Sequence, residues 1–350
     1  MKGAGLAALA LAVTLATPTA KAAGALPRFN ILPGSLTVSG VSAGGYMATQ
    51  YQVAYSRDVI GIAVIAAGPW FCARGSLVRA LDECMAGSAS GPEIGPSIAA
   101  AREYAKAEAI DDPSWIAPDR VWLFHGTRDT IVGAAVTDSL LRFYREFLPP
   151  ERIHYETQIA AAHGFPADGR GGTCEIAQPP WINDCSYDGA GLMLRHLYDG
   201  LRNPSGPVEG ELIAFDQERY TKGGMLASLG DEGYLFVPGD CSAGKPCRLH
   251  VAFHGCRQGS GFVGEEFVRN AGYNRWADAN RIVVVYPQVA RSYVYPFNPK
   301  GCWDWWGYSG PDYATRNGAQ LTSVHRMLIA LGARPGNDRC RSYSGMTSVP

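Results

Sequence analysis

Short, continuous apolar runs alternate along this chain with longer segments in which apolar residues recur every three or four positions. Leu36-Thr-Val-Ser-Gly-Val41 is the first run, and Met47, Tyr51, Ala54 and Tyr55 follow it at i, i+4, i+7 and i+8, the spacing of one helix face. Gly61-Ile-Ala-Val-Ile-Ala-Ala-Gly68 has no polar alternation, which predicts a strand buried on both faces. A buried strand over 120–124, a helix over 135–147 and an alternating strand over 153–159 continue the order. Residues 69–118 interrupt it with Trp70, Phe71, two cysteines and a helical stretch over 96–109, and are expected to form an excursion that roofs the sheet. In the second half a helix over 190–198 precedes three strand-like runs, 233–237, 248–253 and 281–287. A helix with Trp276 and Ala277 joins the last two, and a helix over 319–331 closes the pattern. Strands that alternate with helices predict an α/β fold with a mostly parallel sheet flanked by helices.

The first strand ends in Gly40-Val41-Ser42-Ala43-Gly44-Gly45, and this is where chemistry enters. A G-x-S-x-G turn between strand and helix forces its central residue into strained backbone angles, and only small neighbours let the helix approach so closely. Ser42 is thereby lifted clear of the sheet over a helix N-terminus, with the Ala43 amide pointing into the same space.

A serine hydroxyl needs a base within reach, and the base needs an acceptor to fix its tautomer. Among the seven histidines, His163 stands at the end of the 153–159 strand before Gly-Phe-Pro, which suits the chain order Ser, Asp, His. His125 and His254 also stand at strand ends; His125 is expected to shape the turn that presents Asp129, and His254 belongs to another loop. His154 lies within a strand, and His196 and His325 lie on helices, where structural roles are expected. Asp129 follows the 120–124 strand after a glycine-containing turn and is the carboxylate placed to hold an imidazole. Asp111, Asp112, Asp119 and Asp138 are expected to be solvated. An oxyanion needs two preorganised N–H donors. Ala43 supplies one, and the loop His254-Gly255-Cys256 supplies the other through the Cys256 amide.

The balance of residues narrows the partners. With 47% hydrophobic residues, 18% charged residues and a formal net charge of -1, the chain has material for a large core and no electrostatic attraction for nucleic acid or an anionic membrane. Met1-Lys2, an apolar run over 4–16 and Ala20-Lys21-Ala22 form the pattern of a secretory signal peptide, 1–22, leaving 23–350 as one catalytic domain. That run is shorter than the roughly 20 residues of a membrane span, and no later segment supplies one. Nine cysteines without a C-x-x-C pair fit an oxidising compartment better than a metal site. Proximity pairs Cys72 with Cys84, Cys174 with Cys185 and Cys241 with Cys247. A Cys256–Cys302 bond would tie the oxyanion loop to an aromatic loop and leaves Cys340 unpaired. That aromatic loop, Cys302-Trp303-Asp304-Trp305-Trp306, offers rigid surface to an apolar ligand, so Trp303, Trp305 and Trp306 are candidate substrate contacts.

The oxyanion strand and loop come about 200 residues after the elbow, whereas in most α/β-hydrolases they precede it, so the sheet reads as circularly permuted. On these segments, together with His125-Gly-Thr-Arg-Asp129 and Ala162-His163-Gly164, the chain resembles the extracellular poly(3-hydroxybutyrate) depolymerases whose lipase box lies near the N-terminus. The resemblance implies a secreted or periplasmic serine esterase that needs no cofactor or metal. It implies Ser42 as nucleophile, His163 as base, Asp129 as orienting acid, Ala43 and Cys256 as oxyanion donors, and a polyester polymer or oligomer as substrate, gripped by the tryptophan loop. Many polymer depolymerases add a linker and a binding domain; none is read here, so amorphous polymer or soluble oligomers are the expected substrates, and a monomer the expected state. A carbohydrate esterase acting on feruloyl or acetyl-xylan groups, an acyltransferase and a non-enzymatic polymer-binding protein remain the other readings.

Overall fold

The computed structural model describes residues 23–86, 88–334 and 336, so the expected signal peptide and Cys340 lie outside the described residues. The apolar runs become strands β1 (Ile31–Val41), β2 (Val59–Ile65), β3 (Arg120–Phe124) and β4 (Ile153–Glu156), then, past a small separate sheet, β8 to β11. The small sheet consists of β5 (Phe165–Ala167), β6 (Gly172–Thr173) and β7 (Ile182–Asp184). The later members of the main sheet are β8 (Glu211–Asp216), β9 (Glu232–Val237), β10 (Cys247–Phe253) and β11 (Ile282–Tyr286).

The main sheet runs β4-β3-β2-β1-β10-β11-β9-β8, parallel from β4 to β11 and antiparallel at β9 and β8. β1 therefore sits at the centre, between the strand that follows it directly and one laid down some 200 residues later. Four strands of the second half join this sheet rather than the three expected. β8 escapes a reading of periodicity because only Phe215 in it is buried, as befits an edge strand. β4 stops at Glu156, short of the expected 159.

Both faces of the central strands are covered, which is why their sequences do not alternate with polar residues. Ile62 and Val64 of β2, Leu249, Val251 and Phe253 of β10, and Val283 and Val285 of β11 pack into one core. Ala63 and Ile65, Ala252, and Ile282, Val284 and Tyr286 pack into the other. Each such Val, Ile or Leu contributes about 1.5–3 kcal/mol by its burial. The helix Ala43–Ala54 is buried along its whole length against β1, β2 and β10. A polar knot interrupts the second core: His250 Nδ1 lies 2.7 Å from Thr37 Oγ1 and its Nε2 2.8 Å from Ser39 Oγ, with the hydroxyls of Tyr198 and Tyr273 completing it. Burial pushes the pKa of this imidazole down to about 3, so it is neutral.

The three proximity-based disulfides, Cys72–Cys84, Cys174–Cys185 and Cys241–Cys247, are present, and so is the Cys256–Cys302 bond between the two loops. Among the described residues no helix is long and apolar enough to cross a membrane.

Candidate active site

β1 ends at Val41, and Ser42 turns the chain with φ 57° and ψ -124°, a left-handed conformation that a non-glycine residue adopts only under constraint. The constraint is visible on either side. A Cβ at Gly40 would strike the Gly44 carbonyl, and one at Gly44 would strike the carbonyls of Phe253 and His254. The Ser42 amide donates to the Ile65 carbonyl at 2.9 Å and its carbonyl accepts from Tyr46 N–H at 3.1 Å, so backbone bonds to β2 and to the following helix hold the turn. Among the described residues the Ser42 side chain makes no hydrogen bond, and it stands above a helix N-terminus that favours negative charge.

Asp129 is built by the turn that follows β3. His125 sits 2.9 Å from the Val132 carbonyl through Nε2, closing the turn as its sequence position implied. Gly126 lies so close to the Ala161 carbonyl that any Cβ would collide with it. The Asp129 side chain is only 1% exposed; its Oδ1 accepts from the amides of Ile131 at 2.9 Å and Val132 at 3.0 Å, and its Oδ2 lies 2.8 Å from His163 Nδ1. Burial pushes this carboxyl upward, but the bond with His163 and the two backbone bonds outweigh it and hold the pKa below its ordinary value. An ionised acceptor at Nδ1 fixes the proton there and leaves Nε2 as the basic nitrogen.

The small sheet anchors His163. Ala162 N–H donates to the Cys174 carbonyl at 2.8 Å, Asn183 Nδ2 on β7 donates to the Ala162 carbonyl at 2.9 Å, and Gly164 packs on the Asn183 amide. The Cys174–Cys185 bond closes the segment.

β10 delivers the third component. His254 is fully buried, its Nδ1 2.7 Å from the Gly255 carbonyl and its Nε2 accepting from Val289 N–H at 3.1 Å. Burial pushes its pKa down to about 4, so it serves as a neutral strut rather than as a base. Among the described residues neither the Ala43 nor the Cys256 amide donates to a protein acceptor, leaving both available to a ligand oxygen.

Ser42, His163 and Cys256 face one cleft. Met85, Ile131 and Trp181 give it apolar walls, and Gln258, Arg257 and Lys300 also line it. Met85 comes from the 69–118 excursion.

The tryptophan loop is a correction. Trp303 is fully buried, edge-on to Phe253 with ring centres 5.0 Å apart, and Trp305, 7% exposed, stacks on Tyr46 at 4.4 Å. The buried Asp304 carboxylate gathers the amides of Trp306, Gly307, Tyr308 and Ser309 and so ties the loop into a turn. None of Trp303, Trp305 and Trp306 lines the cleft; Trp306 alone is half-buried. The aromatic wall is instead Trp181, whose neighbours Pro179 and Pro180 were the only signal in the sequence that this loop is rigidly shaped.

No family model matches the chain. It is 39% identical over 331 residues to a poly(3-hydroxybutyrate) depolymerase of Delftia acidovorans, an alignment that covers 93% of this chain and 63% of that protein. The chain thus spans less than two thirds of the length of that relative. A polyhydroxybutyrate depolymerase of Talaromyces funiculosus is 37% identical over 320 residues, covering 87% of this chain and 91% of the relative. The fold is similar to the crystal structure of PHB depolymerase from Penicillium funiculosum, with a TM-score of 0.81 and 34% identity over 89% of this chain and all of that one. A serine-to-alanine variant of PHB depolymerase complexed with an R3HB trimer is similar to the same degree, with a TM-score of 0.81 and 33% identity, again over 89% of this chain and 100% of that one.

Proposed function

The chain belongs to the poly(3-hydroxybutyrate) depolymerase family, and from that premise we propose that it hydrolyses ester bonds of poly(3-hydroxybutyrate) or its oligomers. The observation that carries the reading is a single cleft that joins an elbow serine to a carboxylate-held imidazole, in a fold shared with a depolymerase crystallised with an R3HB trimer. His163 Nε2 takes the Ser42 proton as Oγ attacks the ester carbonyl. The carbonyl π pair moves onto oxygen, and the amides of Ala43 and Cys256 receive the resulting charge. Collapse breaks the bond to the alkoxy oxygen, which leaves with the proton carried by His163. Water then attacks the acyl-Ser42 ester by the same route and releases a 3-hydroxy acid end. Asp129 remains ionised throughout and stabilises the imidazolium.

The apolar walls of Met85, Ile131 and Trp181 suit the methyl and methylene groups of a short-chain polyester, and Trp306 is the member of the tryptophan loop that keeps surface for polymer. We read the order β2-β1-β10 as a circular permutation of the hydrolase sheet. Four disulfides fit export to an oxidising compartment.

Clearing of amorphous poly(3-hydroxybutyrate) granules by the wild type but not by Ser42→Ala is the expected result. Granules that stay turbid while feruloyl or acetyl-xylan esters are cleaved would replace the polyester by a carbohydrate ester.

A further inference from the structure

The oxyanion loop and the Trp181 wall are separate in sequence, and one side chain joins them. Gln258 is 1% exposed. Its Oε1 accepts the Gly255 N–H at 2.7 Å, and its Nε2 donates to the Trp181 carbonyl at 2.8 Å and reaches the Pro180 carbonyl at 3.4 Å. A flipped amide would set donor against donor and acceptor against acceptors at these contacts, so the orientation is fixed by the network itself.

The peptide between Gly255 and Cys256 is pinned at its carbonyl. Gly255 O faces His254 Nδ1 at 2.7 Å and accepts the Gln258 backbone N–H at 3.2 Å. In a trans peptide the N–H points opposite to the C=O, so holding the carbonyl inward directs the Cys256 N–H the other way. Cys256 faces the cleft.

The far end of the strut is as firmly held. Trp181 has φ 61°, a strained value for a tryptophan. Its carbonyl accepts from Phe165 N–H at 2.8 Å as well as from Gln258, and Phe165 is two residues beyond His163. Gln258 thus bridges the oxyanion loop, the apolar wall and, through the carbonyl it shares with Phe165, the segment that carries the base.

We propose that Gln258 is a positioning residue that makes alignment of the Cys256 donor depend on how the acyl chain fits against Trp181. This rests on the Cys256 amide acting as an oxyanion donor, as proposed above. A chain that seats against Trp181 keeps the shared carbonyl in place and, through the Gln258 side chain on the Gly255 N–H, the turn from which the Cys256 N–H projects; a short acyl group that leaves the wall empty does not. Selectivity then shows in kcat rather than in KM.

The test uses Gln258→Met, which keeps volume and removes all three side-chain bonds, Gln258→Glu, which turns a donor toward two carbonyls into an acceptor, Trp181→Ala, and the double variant Gln258→Met with Trp181→Ala. Substrates are a soluble acetyl ester and a 3-hydroxybutyrate trimer ester. Folded sites are counted with a fluorophosphonate that labels Ser42, so that rates refer to active enzyme. Expected for Gln258→Met is a fall in kcat on the trimer by about 10²-fold, the scale of losing one oxyanion donor. KM should change less than threefold, the acetyl ester should lose less, and the loss should be strongly non-additive with Trp181→Ala. Gln258→Glu should be at least as impaired. Additive losses in the double variant, or equal loss on both esters, would overturn the coupling. Trimer turnover retained by Ser42→Ala would instead overturn the underlying serine-esterase reading, so the two failures are distinct.

Discussion

His163 Nδ1 and Asp129 Oδ2 are 2.8 Å apart, and the other oxygen of the same carboxylate is held by two backbone amides. The carboxylate therefore cannot rotate to follow the imidazole; the imidazole is oriented by it. Asp129→Asn keeps the shape but offers His163 a donor in place of an acceptor at one of the amide's two orientations, which favours the wrong tautomer. The expected outcome is a drop in kcat on a soluble 3-hydroxybutyrate ester of about 10⁴-fold in a protein that still folds, with a lowered melting temperature because the stabilising ionised contact is lost. A loss below tenfold would remove Asp129 from the triad.

Stability should depend on pH above the range where carboxylates titrate. His250 and His254 are buried and neutral, with pKa values pushed down to about 3 and about 4. Unfolding frees each to bind a proton near its ordinary 6.5, so in between the unfolded chain holds more protons than the folded one. Stability is therefore full above pH 6.5 and falls as pH drops toward 4, by about 1.4 kcal/mol per unit for each histidine. Asp129 has the opposite intrinsic charge but the same sign of effect, because its depressed pKa stabilises the fold above the ordinary carboxylate value and that contribution is lost only at lower pH. His325 adds a third such group, its pKa pushed down to about 4 by burial and by the charge of Arg316, so urea unfolding from pH 8 to 4 should report uptake of about three protons at pH 5. A flat profile between 6.5 and 4 would contradict the burial of these rings as neutral species.

The parts of the site that could be read from the chain are those fixed by local backbone chemistry. Ser42 announces itself because its angles demand Gly40 and Gly44, and Asp129 and His163 because each lies in a loop a few residues past a strand and close to a glycine. The short disulfides could be paired because small separations leave little choice. β8 and the β5–β7–β6 sheet could not be read, since an edge strand with one buried residue and strands of two or three residues carry no period. Trp181 and Gln258 depend on that small sheet and were missed with it. For Trp303 and Trp305, composition fits a binding loop and a packed corner equally, and contacts with Phe253 and Tyr46 decide for packing.

The Cys256–Cys302 bond should affect catalysis as well as stability. It closes a loop of 46 residues, worth about 4 kcal/mol in the chain-entropy model, and it starts at the residue proposed as an oxyanion donor. The Cys241–Cys247 bond closes a separation of 6, worth about 2 kcal/mol in the same model, at the opposite end of β10. Replacing Cys256 and Cys302 by serine should lower both the melting temperature and kcat, whereas replacing Cys241 and Cys247 should lower the melting temperature alone. Equal kcat for the two double variants, measured well below either melting point, would show that the oxyanion loop does not need its staple.

Beside the cleft the chain exposes a patch that folding does not explain. Tyr293, Val294, Tyr295 and Phe297 are 68%, 68%, 73% and 63% exposed, on a hairpin closed by paired backbone bonds between Ser292 and Asn298. Its root is rigid: Asn298 is buried and exchanges side-chain bonds with both backbone groups of Cys302, each at 2.9 Å, while Lys300 between them borders the cleft. A contiguous apolar patch held out in water marks a contact surface. A ring laid flat on a polymer covers roughly 100 Å², which at ~25 cal/mol per Å² is about 2.5 kcal/mol, or some 70-fold in affinity. Replacing Tyr293, Tyr295 and Phe297 by serine should therefore weaken adsorption to poly(3-hydroxybutyrate) granules more than tenfold and slow their clearing. The same variant should leave kcat/KM on a soluble short ester unchanged, because no atom of the triad or the oxyanion loop is altered. Adsorption equal to that of the wild type would assign the hairpin no part in holding polymer, and a parallel loss on the soluble ester would mean that the hairpin supports the cleft rather than the polymer.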